Sequence, residues 1–308
     1  MVKELFRIRV PASSAHLGPG YAVLAVALAR YAEVTVWEGQ IDGHVVEIQG
    51  RGEEPQLDPR HDPVLRSLHA AAEHWKIKIP AALRMVAQVD IPAASGLGTA
   101  AAAFAAGIAL CQRFGKRAFP PDEALDLATS LGADPAHAAA SLVGGLTSAC
   151  LVSAPEDTPR YRLLTHGLHP SWRFVLALPN VRVGAADARR ILPATLPHAA
   201  TPRTSARLLG LLRALADADE ELLGLCLRDE VHVPFRRRLV PGMEAAMQAA
   251  VTAKAAGATI TGHGPGIVAL TTDHKLADAI GKAMVNEFTK VGVAASALAL
   301  EASAHGAL

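Results

Sequence analysis

Hydrophobic and polar positions change their rhythm several times along the chain. Segments 31–38, 44–49 and 83–91 carry β-branched residues in partial alternation and predict strands. Between them, 63–75 has apolar residues at helical spacing. After Pro92 a glycine-containing turn at 95–99 opens a small-residue helix running to about 114. A proline-rich stretch at 120–122 then predicts a second helix, with Asp122 near its N-cap and its end near 131–132. The pair Gly144-Gly145 leads into a strand through 152, and 174–178 is a further strand. Segments 185–191, 203–216, 220–228 and 243–256 repeat apolar residues at i, i+3 and i+4 and predict helices. Finally, 258–260 and 267–271 bracket a glycine-rich turn, which reads as strand, loop, strand. Strands and helices come in blocks and not in strict alternation, which predicts an α+β fold.

Composition narrows the class. The chain has 308 residues, 51% hydrophobic and 19% charged, far from the polar, highly charged range of disordered chains. That length suits two domains or one large one. A net charge of +1 gives no general attraction to nucleic acid or to an anionic membrane. The longest small-apolar run, 100–111, falls short of the roughly 20 residues that cross a bilayer. The charged start has no signal-peptide core behind it, so a cytoplasmic location is expected. Cys111, Cys150 and Cys226 are odd in number and widely spaced, which predicts neither disulfides nor a zinc site. Aromatics are only 4%, alanine is abundant, and Arg outnumbers Lys by 22 to 8, a bias that a GC-rich genome also produces.

The first segment with chemistry is Ser95-Gly96-Leu97-Gly98-Thr99, between a strand and a helix. Glycines allow a tight turn and a close backbone approach, and the first N–H groups of the helix point outward with the helix dipole behind them, a recipe for an anion site. A tight strand-to-helix turn that needs positive φ explains the same residues equally well. The loop is not a Walker A motif, because no Lys follows the second Gly.

Residues 9–21 (RVPASSAHLGPGY), the GLGT loop and residues 261–266 (TGHGPG) have the order and spacing of the three signature motifs of the GHMP small-molecule kinases. Within that superfamily the chain most resembles homoserine kinases, with agreement also at 142–146, 188–193 and 232–242. The resemblance implies an N-terminal domain of the ribosomal S5 domain-2 type over 1–165, a C-terminal ferredoxin-like domain over 166–308, an active site between them, and a homodimer.

Against that family the site residues diverge. The second serine expected after GLG is Ala100, and the expected Mg²⁺-binding glutamate falls on Gly132. In the segment that resembles Leu-Glu-Gly-His-Pro-Asp-Asn, the Asp becomes Ala136 and the Asn becomes His137. The family's Asn in the first motif is His16, the aspartate for the substrate's polar end is Ala22, and a threonine before Ala-Arg is Ala185. The resemblance thus implies four cleft alanines where oxygen-bearing side chains are expected. Arg189 and Arg236 fall on the family's two carboxylate-binding arginines, and the guanidinium fork suits a carboxylate.

Three histidines, His16, His137 and His263, stand where the family has neutral polar residues. Imidazole is matched to proton transfer near neutral pH, with Asp134 placed to orient a neighbouring ring. The same groups could ligate a transition metal, a reading ranked below acid/base use, so no metal is assigned. The expectation is a small-molecule enzyme on a carboxylate-bearing, phosphorylated or unphosphorylated metabolite. Its catalytic groups would be His16, His137 and Asp134, its substrate groups Arg189, Arg236 and His263, and its anion loop Ser95 to Thr99. Elimination, isomerisation or cyclisation is the first reading. A kinase acting on homoserine or a related hydroxy compound, requiring ATP and Mg²⁺ with Thr99 and Asp134 replacing the lost ligands, is the alternative, and a non-catalytic binder is the third.

Overall fold

The computed structural model describes residues 3–38, 44–50 and 61–308. In chain order, the first part contains β1 (Lys3–Ala15), β2 (Leu24–Glu38), β3 (His44–Gly50), α1 (Pro63–Trp75), β4 (Leu83–Val89), α2 (Thr99–Gly115), α3 (Pro121–Ser130), α4 (Pro135–Val143), β5 (Leu146–Leu151) and β6 (Tyr161–His166). The second contains β7 (Arg173–Pro179), α5 (Ala185–Arg190), α6 (Ala200–Asp217), α7 (Glu220–Cys226), α8 (Val233–Arg236), α9 (Met243–Thr252), β8 (Gly257–Ile260), β9 (Ile267–Thr271), α10 (Ala277–Lys290) and β10 (Ala295–Leu300).

The first sheet runs β3-β4-β2-β5-β6, with β1 also paired to β2. Strand β2 is long enough to serve two neighbours, because Leu24–Val26 pair with β5 and Ala32–Glu38 with β4. Strand β1 follows β2 antiparallel along its length, with a register shift at Pro11/Ala12, where a proline cannot donate to the ladder. The second sheet is antiparallel in the order β10-β7-β9-β8. With helices after β7 and α10 between β9 and β10, this is the ferredoxin-like β-α-β-β-α-β arrangement.

The abundance of alanine has a packing role. Ala101, Ala102, Ala105, Ala106 and Ala109 of α2 are all buried, and Gly107 lies so close to α1 that a Cβ there would meet Val64 O at 2.2 Å. Small side chains let α1 and α2 approach at a distance that larger ones would forbid. Ala136 belongs to the same economy: it is buried with Ala15, Ala25, Ala27 and Ala140 in a small cluster of its own.

Two element predictions are corrected. Helix α3 begins at Pro121 with Pro120 as N-cap. Asp122 lies inside its first turn and accepts the Leu163 N–H of β6 at 2.8 Å, so it ties α3 to the sheet edge and does not cap the helix. The strand expected at 31–38 starts seven residues earlier, at Leu24. Beyond β10, residues 301–308 return to the first sheet: Ser303 N–H donates to Ala27 O, Gly145 N–H to Ser303 O, and Leu308 N–H to Leu142 O. Among the described residues no helix is long and apolar enough to cross a membrane.

Candidate active site

Three loops interlock where the two sheets meet. Ser13 N–H at the end of β1 donates to Leu97 O at 3.1 Å, and Gly262 N–H donates to Ala15 O at 2.8 Å. Thr261 Oγ1 donates to Gly96 O at 2.9 Å. Gly96 has φ +82, and a Cβ there would sit 2.2 Å from Thr261 O, so both conformation and space require glycine. Gly98 (φ +73) is the N-cap of α2. The first-turn N–H groups of α2 have no intrahelical acceptors, and Gly96, Leu97, Gly98, Thr99, Ala100 and Ala101 all line one cavity of about 520 Å³. Ser95 lines it too, but its hydroxyl is turned to Pro92 O at 2.6 Å.

The same cavity brings together most of the residues singled out from sequence. Asp134, His137, Arg189 and His263 line the same cavity. Asp134 is the N-cap of α4: its Oδ1 accepts the N–H groups of Ala136 and His137, both at 3.1 Å. Its Oδ2 faces His16 Nε2 at 3.3 Å. Burial alone would raise this carboxyl, but the contact with His16 and the neighbouring His137 outweigh it and hold the group well below the usual carboxylate range. His137 is buried, with Nδ1 2.8 Å from Ser13 Oγ. Burial pushes it down to about 4. His263 is half-buried on the cavity wall, with its ring centroid 4.9 Å from that of His16. Burial, then the neighbouring His16 and Arg236, push it down to about 3.

Two predicted residues stand behind this wall. His16 is 1% exposed and does not line the cavity. Its Nδ1 accepts the Ala22 N–H at 2.8 Å, which uses that lone pair and places the ring proton on Nε2. Nε2 has no well-aligned partner. The geometry therefore leaves His16 no free basic nitrogen for the acid/base role expected of it; it buttresses Asp134 instead. Arg236 is also 1% exposed. Its Nε donates to Ala188 O at 3.1 Å, its guanidinium lies 5.0 Å from the Tyr21 ring centroid, and its Nη2 is buried without a partner. The adjoining Arg237 instead pairs with Glu244 at the surface.

Of the four alanines, Ala100 and Ala185 line the cavity. Ala136 is buried away from it, and Ala22 contributes its backbone N–H to His16. The sequence did not single out His232 as functional, and the structure fixes it: its Nε2 bonds Gly18 O at 3.0 Å, and its ring stacks on Tyr21 with centroids 5.1 Å apart.

Family models for the GHMP kinases N terminal domain and the GHMP kinases C terminal domain match residues 63–145 and 211–290. A homoserine kinase of Carboxydothermus hydrogenoformans is 30% identical over 301 residues, spanning 98% of this chain and 95% of that one. The chain belongs to the homoserine kinase family of GHMP kinases. The crystal structure of a homoserine kinase from Cytophaga hutchinsonii shares the fold with a TM-score of 0.84 at 24% identity, covering 97% of this chain and 96% of that one. A mevalonate diphosphate decarboxylase from Staphylococcus aureus shares it at 0.67 and 15% identity, covering 99% and 97%. Membership of a kinase family supports phosphotransfer, the alternative drawn from sequence, over elimination, isomerisation or cyclisation.

Two metal ions need testing against these residues. His16, Asp134 and His263 offer ligand atoms within 4.8 Å of one another, a spacing open to a transition metal. The Ala22 N–H on Nδ1 argues against it, because a metal on Nε2 would require the proton to move to the nitrogen that is already accepting. Magnesium, which homoserine kinases are expected to use, prefers carboxylate and phosphate oxygens. Ala100 and Gly132 carry none, and both Asp134 oxygens already face the helix N–H groups or His16. Thr99 brings one hydroxyl to the cavity, a single neutral oxygen that does not by itself replace the missing carboxylate, so the residues do not fit a protein-held Mg²⁺.

Proposed function

We propose that this protein transfers a phosphoryl group from a nucleoside triphosphate to the hydroxyl of a small carboxylate-bearing metabolite. The observation that carries the reading is that the α2 cradle and Arg189 line one and the same cavity. The cradle suits phosphate oxygens: its N–H groups are fixed in place and cost no reorganisation when charge develops. Arg189 presents a planar fork to a carboxylate, and the buried, unpartnered Nη2 of Arg236 adds a second cation behind the wall. Phosphoryl transfer has a loose transition state in which positioning and electrostatics dominate. Here the substrate oxygen would attack phosphorus, the nucleoside diphosphate would leave, and the hydroxyl proton would pass to water or to the transferred phosphoryl group.

A second reading, proton transfer by His137 and His263 without nucleotide, is favoured by the ring cluster itself. Its weakness is basicity. Groups titrating near 4 and 3 lie far below the operating pH, where a general base is inefficient. Steady-state measurement of ADP release with ATP and a panel of small hydroxy acids, homoserine included, separates the two. Turnover that needs a hydroxy acid, with KM for the acid raised about tenfold or more in Arg189→Leu, supports phosphotransfer. Exchange of substrate carbon-bound hydrogen with deuterated solvent in the absence of ATP, with no ADP formed, would establish the second reading instead.

A further inference from the structure

A di- or triphosphate entering this cavity needs its charge met, and the residues supply no site for a divalent ion to do so. Among the described residues, the carboxylates that line the cavity are Asp134, engaged as above, and Asp62, which caps α1 by accepting Leu65 N–H. The cationic or proton-accepting groups outnumber them: Arg189 and His263 on the wall, His137 beneath the loop, and Arg236 behind.

The three histidines of the cluster are not equivalent. His16 Nδ1 is occupied by the Ala22 N–H, and His137 Nδ1 by the Ser13 hydroxyl. His263 makes no hydrogen bond to any described residue, is half-buried, and faces the cavity beside the α2 cradle. It is therefore the imidazole of the three with neither ring nitrogen engaged, and the one placed to take a proton and present it to an anion.

We propose that this site binds the phosphate groups of a nucleotide without a protein-held divalent ion, with His263 taking up a proton as the anion enters and supplying the positive charge a metal would otherwise bring. The inference rests on the phosphotransferase reading only for the identity of the anion. The groups around His263 set the direction. His16 from the loop after β1, Asp134 and His137 from α4 and Arg236 from α8 surround it, Arg189 from α5 lines the same cavity, and Tyr21 and His232 pack on His16. Without an anion, burial and the Arg236 guanidinium keep the ring neutral. An anion against the ring favours the protonated form and opposes the repulsion from Arg236, so binding and protonation reinforce each other.

Isothermal titration calorimetry with ADP tests this, in EDTA and in Mg²⁺, in two buffers of different ionisation enthalpy. The expected result is binding in EDTA with a Kd within about threefold of that in Mg²⁺, too small a difference for an ion bridging protein and phosphate. Proton uptake should approach one per site near pH 6.5. Wild-type affinity should rise about tenfold more than that of His263→Gln between pH 8 and pH 6; the nucleotide's own ionisation is common to both proteins and drops out.

A thermal melt at pH 8 establishes that the variant is folded. If it is not, nitrogen NMR of the wild-type imidazoles reads the same event, with His263 converting from neutral ring to imidazolium on ADP addition. Binding absent in EDTA, tightened more than about tenfold by Mg²⁺, or taking up the same proton in His263→Gln would overturn the proposal. ADP binding as expected with no phosphoryl transfer to any hydroxy acid would instead remove the phosphotransferase reading and leave this one standing.

Discussion

Burying Arg236 with Nη2 unpartnered is costly unless something other than stability retains it, because a desolvated guanidinium forfeits several kcal/mol of hydration. Burial already pulls its pKa down, offset by Tyr21, Asp134 and Asp229. Arg236→Met should therefore leave the melting temperature unchanged or raised while weakening binding of carboxylate or phosphate ligands about tenfold or more. A thermal melt beside a calorimetric titration checks both halves. His137 makes a separate prediction. Its folded pKa, about 4, lies below the ordinary imidazole value of 6.5, so below pH 6.5 the unfolded chain binds more protons than the folded one. Its contribution is fully present above pH 6.5 and is lost as pH falls towards 4. Between pH 7.5 and 5 this amounts to about 2 kcal/mol, read by urea denaturation at the two pH values and absent from His137→Asn. At this scale Arg189, Asp134, His137 and His263 were legible as cavity residues because each stands in a motif. The roles of His16 and Arg236 were not, since burial and the Ala22 N–H that fixes a tautomer are properties of packing.

The elements that hold the site are short and depend on their ends. Helix α4 has nine residues, too few to be stable alone, and its N-cap is also the carboxylate on the cavity wall. Asp134→Ala should cost about 1 kcal/mol, whereas Asp134→Asn retains most of the cap and loses only the charge facing His16. Comparing the denaturation midpoints of the two variants separates capping from electrostatics. Gly96→Ala places a methyl group against Thr261 O in a left-handed backbone, and should cost about 1–3 kcal/mol and abolish ADP binding. Turn chemistry made α2 and its loop visible in the sequence. Helix α4 went unread because its nine residues, four of them alanine, carry little periodicity, and β1 because apolar and charged residues alternate only over Phe6–Val10 before a run of small and hydroxyl residues at 12–15. Strand β6 is an edge strand whose exposed Leu164 blurs its pattern.

At the level of the whole molecule, a strap from the second sheet is sewn into the first. Five backbone hydrogen bonds, from Ala29 N–H to Glu301 O through Leu308 N–H to Leu142 O, join residues 301–308 to β2, the Gly144-Gly145 turn and the end of α4. At about 0.5–1.5 kcal/mol each, deleting 301–308 should lower stability by about 3 kcal/mol or more and loosen α4. Urea denaturation, with ADP affinity measured alongside, reads both effects. Fold class was legible from the block order of strands and helices, but this return of the chain was not, because residues 301–308 have no repeating pattern. The central claim, phosphoryl transfer between the α2 cradle and a substrate held by Arg189, is tested most directly by phosphorus NMR of the purified protein with ATP and small hydroxy acids. The account predicts a new phosphate monoester resonance growing in step with ADP and absent when the hydroxy acid is left out. Conversion of a carboxylate substrate with the ATP resonances unchanged would contradict it.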